Sequence, residues 1–209
     1  MVDLRRIRVD PRAPAEPVLA QAVEVLSRSG VVAYPTETFY GLGAAALDED
    51  ACQRVFEIKG RPRDSPLPWI VADLGQIESV ARLDRLSRLL VSRFWPGPLT
   101  LVVPLSRGQG TVAVRVSSLP IARALAKGLG APITATSANR AGEPAPVTAD
   151  EVAQRLREID LLLDGGPCAG GLPSTIVDVT AGGRPILVRA GAVAYDDILR
   201  FLDESPTVG

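Results

Sequence analysis

The sequence predicts a single α/β domain. Short apolar runs with strand character alternate with amphipathic helical stretches along the whole chain. No repeat, low-complexity tract or clear linker interrupts that alternation. The 209 residues are 46% hydrophobic and 22% charged, enough apolar material for a sizeable core in one large domain. Aromatic residues make up only 4%, so Leu, Val, Ile and Ala must build that core.

The elements follow in order. Residues 15–29 read as a helix, with Leu19, Ala22, Val23 and Leu26 on one face and Gly30 as its stop. Val31 to Tyr34 is a short apolar strand. It runs into a polar loop, residues 35–43, where two threonines and Glu37 precede two glycines free to approach a ligand closely. Ala51, Val55 and Ile58 space a second helix, with Asp48 as its N-cap. After it come three cations in five positions, Lys59, Arg61 and Arg63. Pro62 biases Arg61 away from helical geometry, so the segment is a stiff extended loop. Pro68 to Ala72 reads as a strand and residues 84–92 as a helix, broken by Phe94-Trp95-Pro96-Gly97-Pro98. Leu99 to Leu105 and Thr111 to Val116 form a hairpin across a Gly-rich turn. Residues 119–129 form a helix ending at Gly128 or Gly130. Ile133 to Ala135 leads as a strand into Thr136-Ser137-Ala138-Asn139, where an extended backbone aims Ser137 and Asn139 the same way. Thr148 and Glu151 form a capping box for a helix over 149–158. Leu161 to Leu163 is a strand, residues 164–175 a Gly-rich loop, and Ile176 to Val179 and Pro185 to Arg189 are strands. A helix over 196–202 closes the chain.

Composition narrows the chemistry. With no histidine, Ser-His-Asp, Cys-His and His-ligated metal sites are ruled out. A general base must be a carboxylate, a lysine, a substrate group or water. Cys52 and Cys168 have no metal-type spacing and read as idle thiols. A net charge of −1 argues against broad nonspecific nucleic-acid binding and leaves room for a local basic cleft. No apolar run approaches the ~20 residues that span a bilayer, and the arginine-bearing N-terminus lacks a signal-peptide run, so the expected location is cytoplasmic. The Lys59–Arg63 cations suit a polyphosphate or carboxylate, or else form a solvated turn. Arg115, inside a strand of apolar neighbours, faces either solvent or a cleft where it could clamp a carboxylate. No P-loop or dinucleotide glycine fingerprint is present. Residue patterns alone therefore reach an α/β enzyme or binding module with an anionic ligand.

Six ordered blocks sharpen that reading. PTETFYGLG at 35–43, KGRPRDSPL at 59–67, FWPGPLTLV at 94–102, TVAVRV at 111–116, TSAN at 136–139 and PSTIVD at 173–178 resemble the YrdC-type threonylcarbamoyl-AMP synthase family. The resemblance covers residues 15–195, which implies an extension over 1–14 and a C-terminal helix and tail over 196–209. It implies an open twisted mixed α/β sheet with flanking helices and a concave, positively charged cleft. Family members join L-threonine, bicarbonate or CO₂ and ATP into threonylcarbamoyl-AMP and pyrophosphate, toward the t6A37 modification of tRNA.

By the resemblance, Lys59 and Arg61 are the catalytic cations at the nucleotide phosphates, faced by Ser137 and Asn139. Thr111 touches ATP and Arg189 closes over it. Thr38, Arg115 and Ser174 or Thr175 hold threonine. Mg²⁺ comes with ATP, and no protein metal site is implied. tRNA and a downstream threonylcarbamoyl-transfer complex are the implied partners, with no membrane. Three departures stand out. Ser65 replaces a frequent Asn, and Ile70 occupies the position of a histidine often assigned to threonine; Ala145 also stands where Ser is common. Ending at 209, the chain reads as the short form without the extra C-terminal domain of longer relatives. Two other readings remain. One is a YrdC-like RNA- or nucleotide-binding protein that makes no adenylate. The other is a carbamoyl-adenylate-forming relative, whose zinc-finger-like cysteines are absent here.

Overall fold

The computed structural model describes residues 4–62 and 66–205. Arg63 and Ser65 lie outside the described residues. The α/β alternation is borne out, and the strands divide between two mixed sheets. The first contains β1 (Arg6–Arg8), β9 (Leu161–Asp164), β2 (Val32–Pro35), β3 (Tyr40–Gly43) and β8 (Thr136–Ser137), in that spatial order. The second runs β11 (Ile186–Arg189), β10 (Thr175–Asp178), β5 (Leu99–Pro104), β6 (Thr111–Arg115), β4 (Trp69–Ile70) and β7 (Ile133–Thr134).

The chain changes sheets within a few residues. β7 pairs with β4 in the second sheet, and β8 pairs with β3 in the first. Between them the Ala135 N–H donates to the Pro68 carbonyl at 2.7 Å, and at the end of β7 the Thr134 N–H donates to the Ala44 carbonyl at 2.9 Å. This short segment ties the two sheets edge to edge. The cleft described below is lined from both of them.

Local chemistry explains the elements that frame the cleft. Helix α2 (Glu49–Lys59) starts where the Asp48 carboxylate accepts from the N–H groups of Asp50 and Ala51, at 3.0 and 3.1 Å. It stops at Gly60, whose φ of 59° is the left-handed cap that only glycine adopts without strain. β5 and β6 form the expected antiparallel hairpin, with Gly108 and Gly110 at positive φ in its turn. The Thr148–Glu151 capping box is complete. Its helix α6 (Ala149–Arg155) ends three residues earlier than the sequence predicts.

Three apolar clusters hold the layers. Helix α2 and α6 pack Val55, Ile58 and Val152 against Ala33, Leu42 and Leu162 of the first sheet. Helix α3 (Leu74–Val80), α4 (Arg85–Phe94) and α7 (Tyr195–Glu204) cover the valine and leucine faces of β5 and β6. Helix α1 (Glu16–Ser27) and α5 (Pro120–Leu129) share a cluster with Val32 and Tyr34 of β2 and with Ile70 and Ile133 of the second sheet. That third cluster spans both sheets and fixes their relation. Truncating one of its fully buried members, such as Leu125→Ala, costs about 2–5 kcal/mol.

Candidate active site

A cleft of about 730 Å³ opens across strands of both sheets, a volume usual for small-molecule sites. Four cations line it, Lys59, Arg61, Arg115 and Arg189, with Glu143 the one carboxylate residue among its described lining. The charge balance favours an anionic ligand.

At one end lies the junction of α2 with the segment after β8. Lys59 is the last residue of α2 and is 4% exposed. Its Nζ donates to the carbonyls of Ser137 and Asn139 at 2.7 and 2.8 Å, and its own carbonyl accepts from the Ala141 N–H at 2.8 Å. Two of its three donors are engaged, and neither acceptor carries charge. Desolvation, then the neighbouring Arg61 cation, pulls the Lys59 pKa down to about 8, with Glu143 opposing. Asn139 is also buried. Its Nδ2 donates to the carbonyls of Arg140 and Glu143, at 2.9 and 2.7 Å, which pins the 139–143 loop. Its Oδ1 is buried without a partner among the described residues. An acceptor oxygen repels phosphate, and both Nδ2 hydrogens are committed to the loop.

The other end centres on β6. Arg115 is 6% exposed and forms an ion pair with Glu37. The Ser117 hydroxyl donates to the second Glu37 oxygen at 2.5 Å. The Glu37 loop is itself fixed, because Thr36 Oγ1 donates to the Phe39 carbonyl at 2.7 Å and accepts from the Thr38 and Phe39 N–H groups. Across the cleft, the Thr100 hydroxyl donates to Ser174 Oγ at 2.9 Å. Arg189 Nη2 donates to that same oxygen at 3.0 Å and to the Ser174 carbonyl at 2.8 Å. Ser174 Oγ thus accepts twice, which leaves its own hydrogen for a ligand. Burial, then the Arg115 charge, lowers the Arg189 pKa.

Most of the sequence-predicted residues meet here. Thr38, Lys59, Arg61, Arg115, Ser137, Asn139, Ser174 and Arg189 all line the one cleft. Two do not. Thr111 sits exposed at the start of β6, beside the hairpin turn and four residues, or about 13 Å of strand, from Arg115. Thr175 falls between Ser174 and Ile176, so strand alternation turns it away from the cleft that both neighbours line. It is fully buried, and its hydroxyl donates to the Val193 carbonyl at 2.6 Å. Ile70 is fully buried in the cluster spanning both sheets and offers the cleft no surface. Glu37, Thr100 and Glu143 gained no role from the sequence. Glu37 could have been found as the acid between two threonines, while only the strand pairing brings Thr100 to Ser174.

The fold and the cleft define an α/β protein with one large cleft lined by four cations and a single described carboxylate, a lining suited to an anion. The chain belongs to the Sua5/YciO/YrdC family: the family model Sua5_yciO_yrdC, described as "Telomere recombination", matches residues 24–191. A threonylcarbamoyl-AMP synthase of Bacillus subtilis is 40% identical over 90% of this chain and 58% of its own length. One of Pyrococcus abyssi is 43% identical over 83% and 54%. One of Chromohalobacter salexigens is 40% identical over 78% of this chain and 94% of its own length. The chain thus spans little more than half of the first two and nearly all of the third. Among solved structures, P. abyssi Sua5 complexed with L-threonine superposes with a TM-score of 0.88 at 39% identity, covering 95% of this chain and 61% of that one. Escherichia coli YciO superposes at 0.81 with 29% identity, covering 90% and 96%.

Proposed function

We propose that this chain makes threonylcarbamoyl-AMP and pyrophosphate from L-threonine, bicarbonate or CO₂ and ATP. One observation carries the reading. A single cleft joins a buried lysine whose hydrogen-bond partners among the described residues are neutral carbonyls to a buried arginine held by a carboxylate. The names of the relatives, and the threonine in the P. abyssi Sua5 complex, support the same assignment.

The residues divide the work. Lys59 and Arg61 meet the triphosphate, with the Ser137 hydroxyl as a further donor and Asn139 shaping the loop around it. Arg189 closes over the nucleotide. Arg115 takes the threonine carboxylate, with Thr38 and Ser174 beside it. The threonine amine, as its free base, bonds to the carbon of CO₂ and gives up its proton to water, leaving an N-carboxy anion. A carboxylate oxygen of that anion bonds to the α-phosphorus of ATP as the bond to pyrophosphate breaks. Nucleophile and leaving group are both anionic, so fixed cations and alignment supply the acceleration. The chemistry needs no histidine. Glu143 is the one carboxylate among the described lining of the cleft, so Mg²⁺ would be held by the ATP phosphates and, when bound, would add charge neutralisation at the leaving group. The product is a mixed anhydride that hands its acyl group to a downstream transfer complex acting on tRNA for t6A37.

Among the described residues no helix is long and apolar enough to cross a membrane. That is in keeping with work in the cytoplasm, where these substrates meet. The test is pyrophosphate release by the purified protein. Release should require Mg-ATP, L-threonine and bicarbonate together. Nucleotide binding without any release would favour the binding-only reading, and equal release with serine would remove threonine as the substrate.

A further inference from the structure

Glu37 lies behind the clamp rather than in it. Arg115 lines the cleft and Glu37 does not; Glu37 lines a separate cavity of about 450 Å³ with Arg12, Leu119 and Cys168. The side chains of the pair are only 7% and 13% exposed. A long arginine side chain loses much rotamer freedom when ordered, so a clamp of this length needs something to fix its direction. Arg115 Nη1 is bound to one Glu37 oxygen, and the Ser117 hydroxyl holds the other at 2.5 Å. Ser117 is in turn fully buried. Its hydroxyl accepts from the Leu119 N–H at 3.2 Å, and its carbonyl accepts from Arg123 Nη1 at 2.9 Å. A line of contacts thus runs from the start of α5 through Ser117 and Glu37 to the guanidinium.

We propose that Glu37 is the positioning residue of the carboxylate clamp. It grips one arm of the Arg115 fork, so the remaining donors keep a fixed aim into the cleft. Its charge also offsets the cation, so the clamp accepts one carboxylate without drawing the triphosphate into the amino-acid end. The inference rests on the reading of Arg115 as the threonine clamp. It goes further by naming what makes that clamp selective between two anionic substrates.

A double-mutant cycle tests it. Glu37→Gln keeps the shape and removes the charge. It should raise the threonine KM about tenfold and let excess ATP compete with threonine, because the clamp loses both its aim and its offsetting charge; at saturating threonine the ATP KM should stay within about twofold. Arg115→Lys should raise the threonine KM on its own. In that background Glu37→Gln should add no further rise, because Glu37 acts through the guanidinium. Independent multiplication of the two effects would overturn the proposal. So would a Glu37→Gln protein whose melting temperature falls while its threonine KM holds. An unchanged threonine KM in Arg115→Lys alone would remove the clamp itself, and this inference with it. If Glu37→Gln does not fold, Ser117→Ala loosens Glu37 with all charges kept. A rise of about threefold in threonine KM supports the proposal and no rise overturns it.

Discussion

The two ends of the cleft bury their cations in opposite ways. Among the described residues Lys59 hydrogen-bonds two backbone carbonyls and has no ion-pair partner, with Glu143 acting on it only at a distance. Arg115 rests on Glu37, so its charge is paired before any ligand arrives. Burying a cation without a direct ion pair is costly, and the pKa of Lys59, lowered by desolvation and then by Arg61, records that cost. Such a cation is also the stronger attractor for a polyanion. A buried cation with a counter-ion offers geometry more than net charge, which suits one carboxylate on a zwitterionic amino acid. The difference teaches that two anions can be sorted within one cleft by how each cation is compensated.

Removing the nucleotide-end charges should break the comparison most visibly. Arg61→Ala should cut turnover by about a hundredfold, the loss expected for one preorganised electrostatic contact, with folding intact because Arg61 lies in a half-exposed loop. Lys59→Ala should match that loss and also lower stability by about 1–3 kcal/mol. It leaves the Ser137 and Asn139 carbonyls without their donor. Denaturant unfolding beside initial-rate assays separates the two variants. Equal stability in both would mean that Lys59 does not tie α2 to the loop.

A pH profile sharpens the contrast. Lys59 is charged below about 8 and neutral above it, so kcat/KM for ATP should fall as pH rises through that value. The stability effect has the opposite sign. With the folded-state pKa lowered, the unfolded chain binds more protons between about 8 and the ordinary lysine value. This group's contribution therefore shifts toward folding as pH rises through that window. A profile flat to pH 9 in Lys59→Met but falling in the parent assigns the titration to this residue; the same fall in both would assign it elsewhere.

Thr100→Val should have the smallest effect. The change removes the hydrogen bond to Ser174 Oγ with little change of shape. Threonine KM should rise about threefold, Thr100→Ser should restore it, and ATP KM should hold. No rise would place Ser174 under the control of Arg189 alone.

The frame of this site was legible in the sequence where local chemistry decides structure. Asp48 starts α2, the glycine turn marks the hairpin, and Thr148 with Glu151 caps α6, whereas Lys59, expected in the extended loop, is the last residue of α2 because Gly60 is its cap. β1, α3 and β8 were not predicted: each is short, and β1 and β8 are defined by partners far along the chain. β3 was read as loop because of Gly41 and Gly43. These glycines serve a close approach of a different kind, to the buried ring of Tyr34. A Cβ on Gly43 would lie 2.8 Å from Tyr34 Cε1, and one on Gly41 3.2 Å from Cζ. The alternation of β6 separates Val112 and Val114 from Arg115 but leaves Arg115 open between solvent and cleft; in the structure the two valines are core and Arg115 lines the cleft. It could not show how far Thr111 runs out along that face, nor that Glu37 waits behind the arginine, since both depend on tertiary pairing.

The most direct test of the two-ended cleft is a crossed kinetic measurement, with ATP and threonine varied separately in Arg61→Ala and Arg115→Lys. The account predicts that Arg61→Ala raises the ATP KM by about tenfold and leaves threonine within about twofold, and that Arg115→Lys does the reverse. Both variants raising the same KM would contradict it.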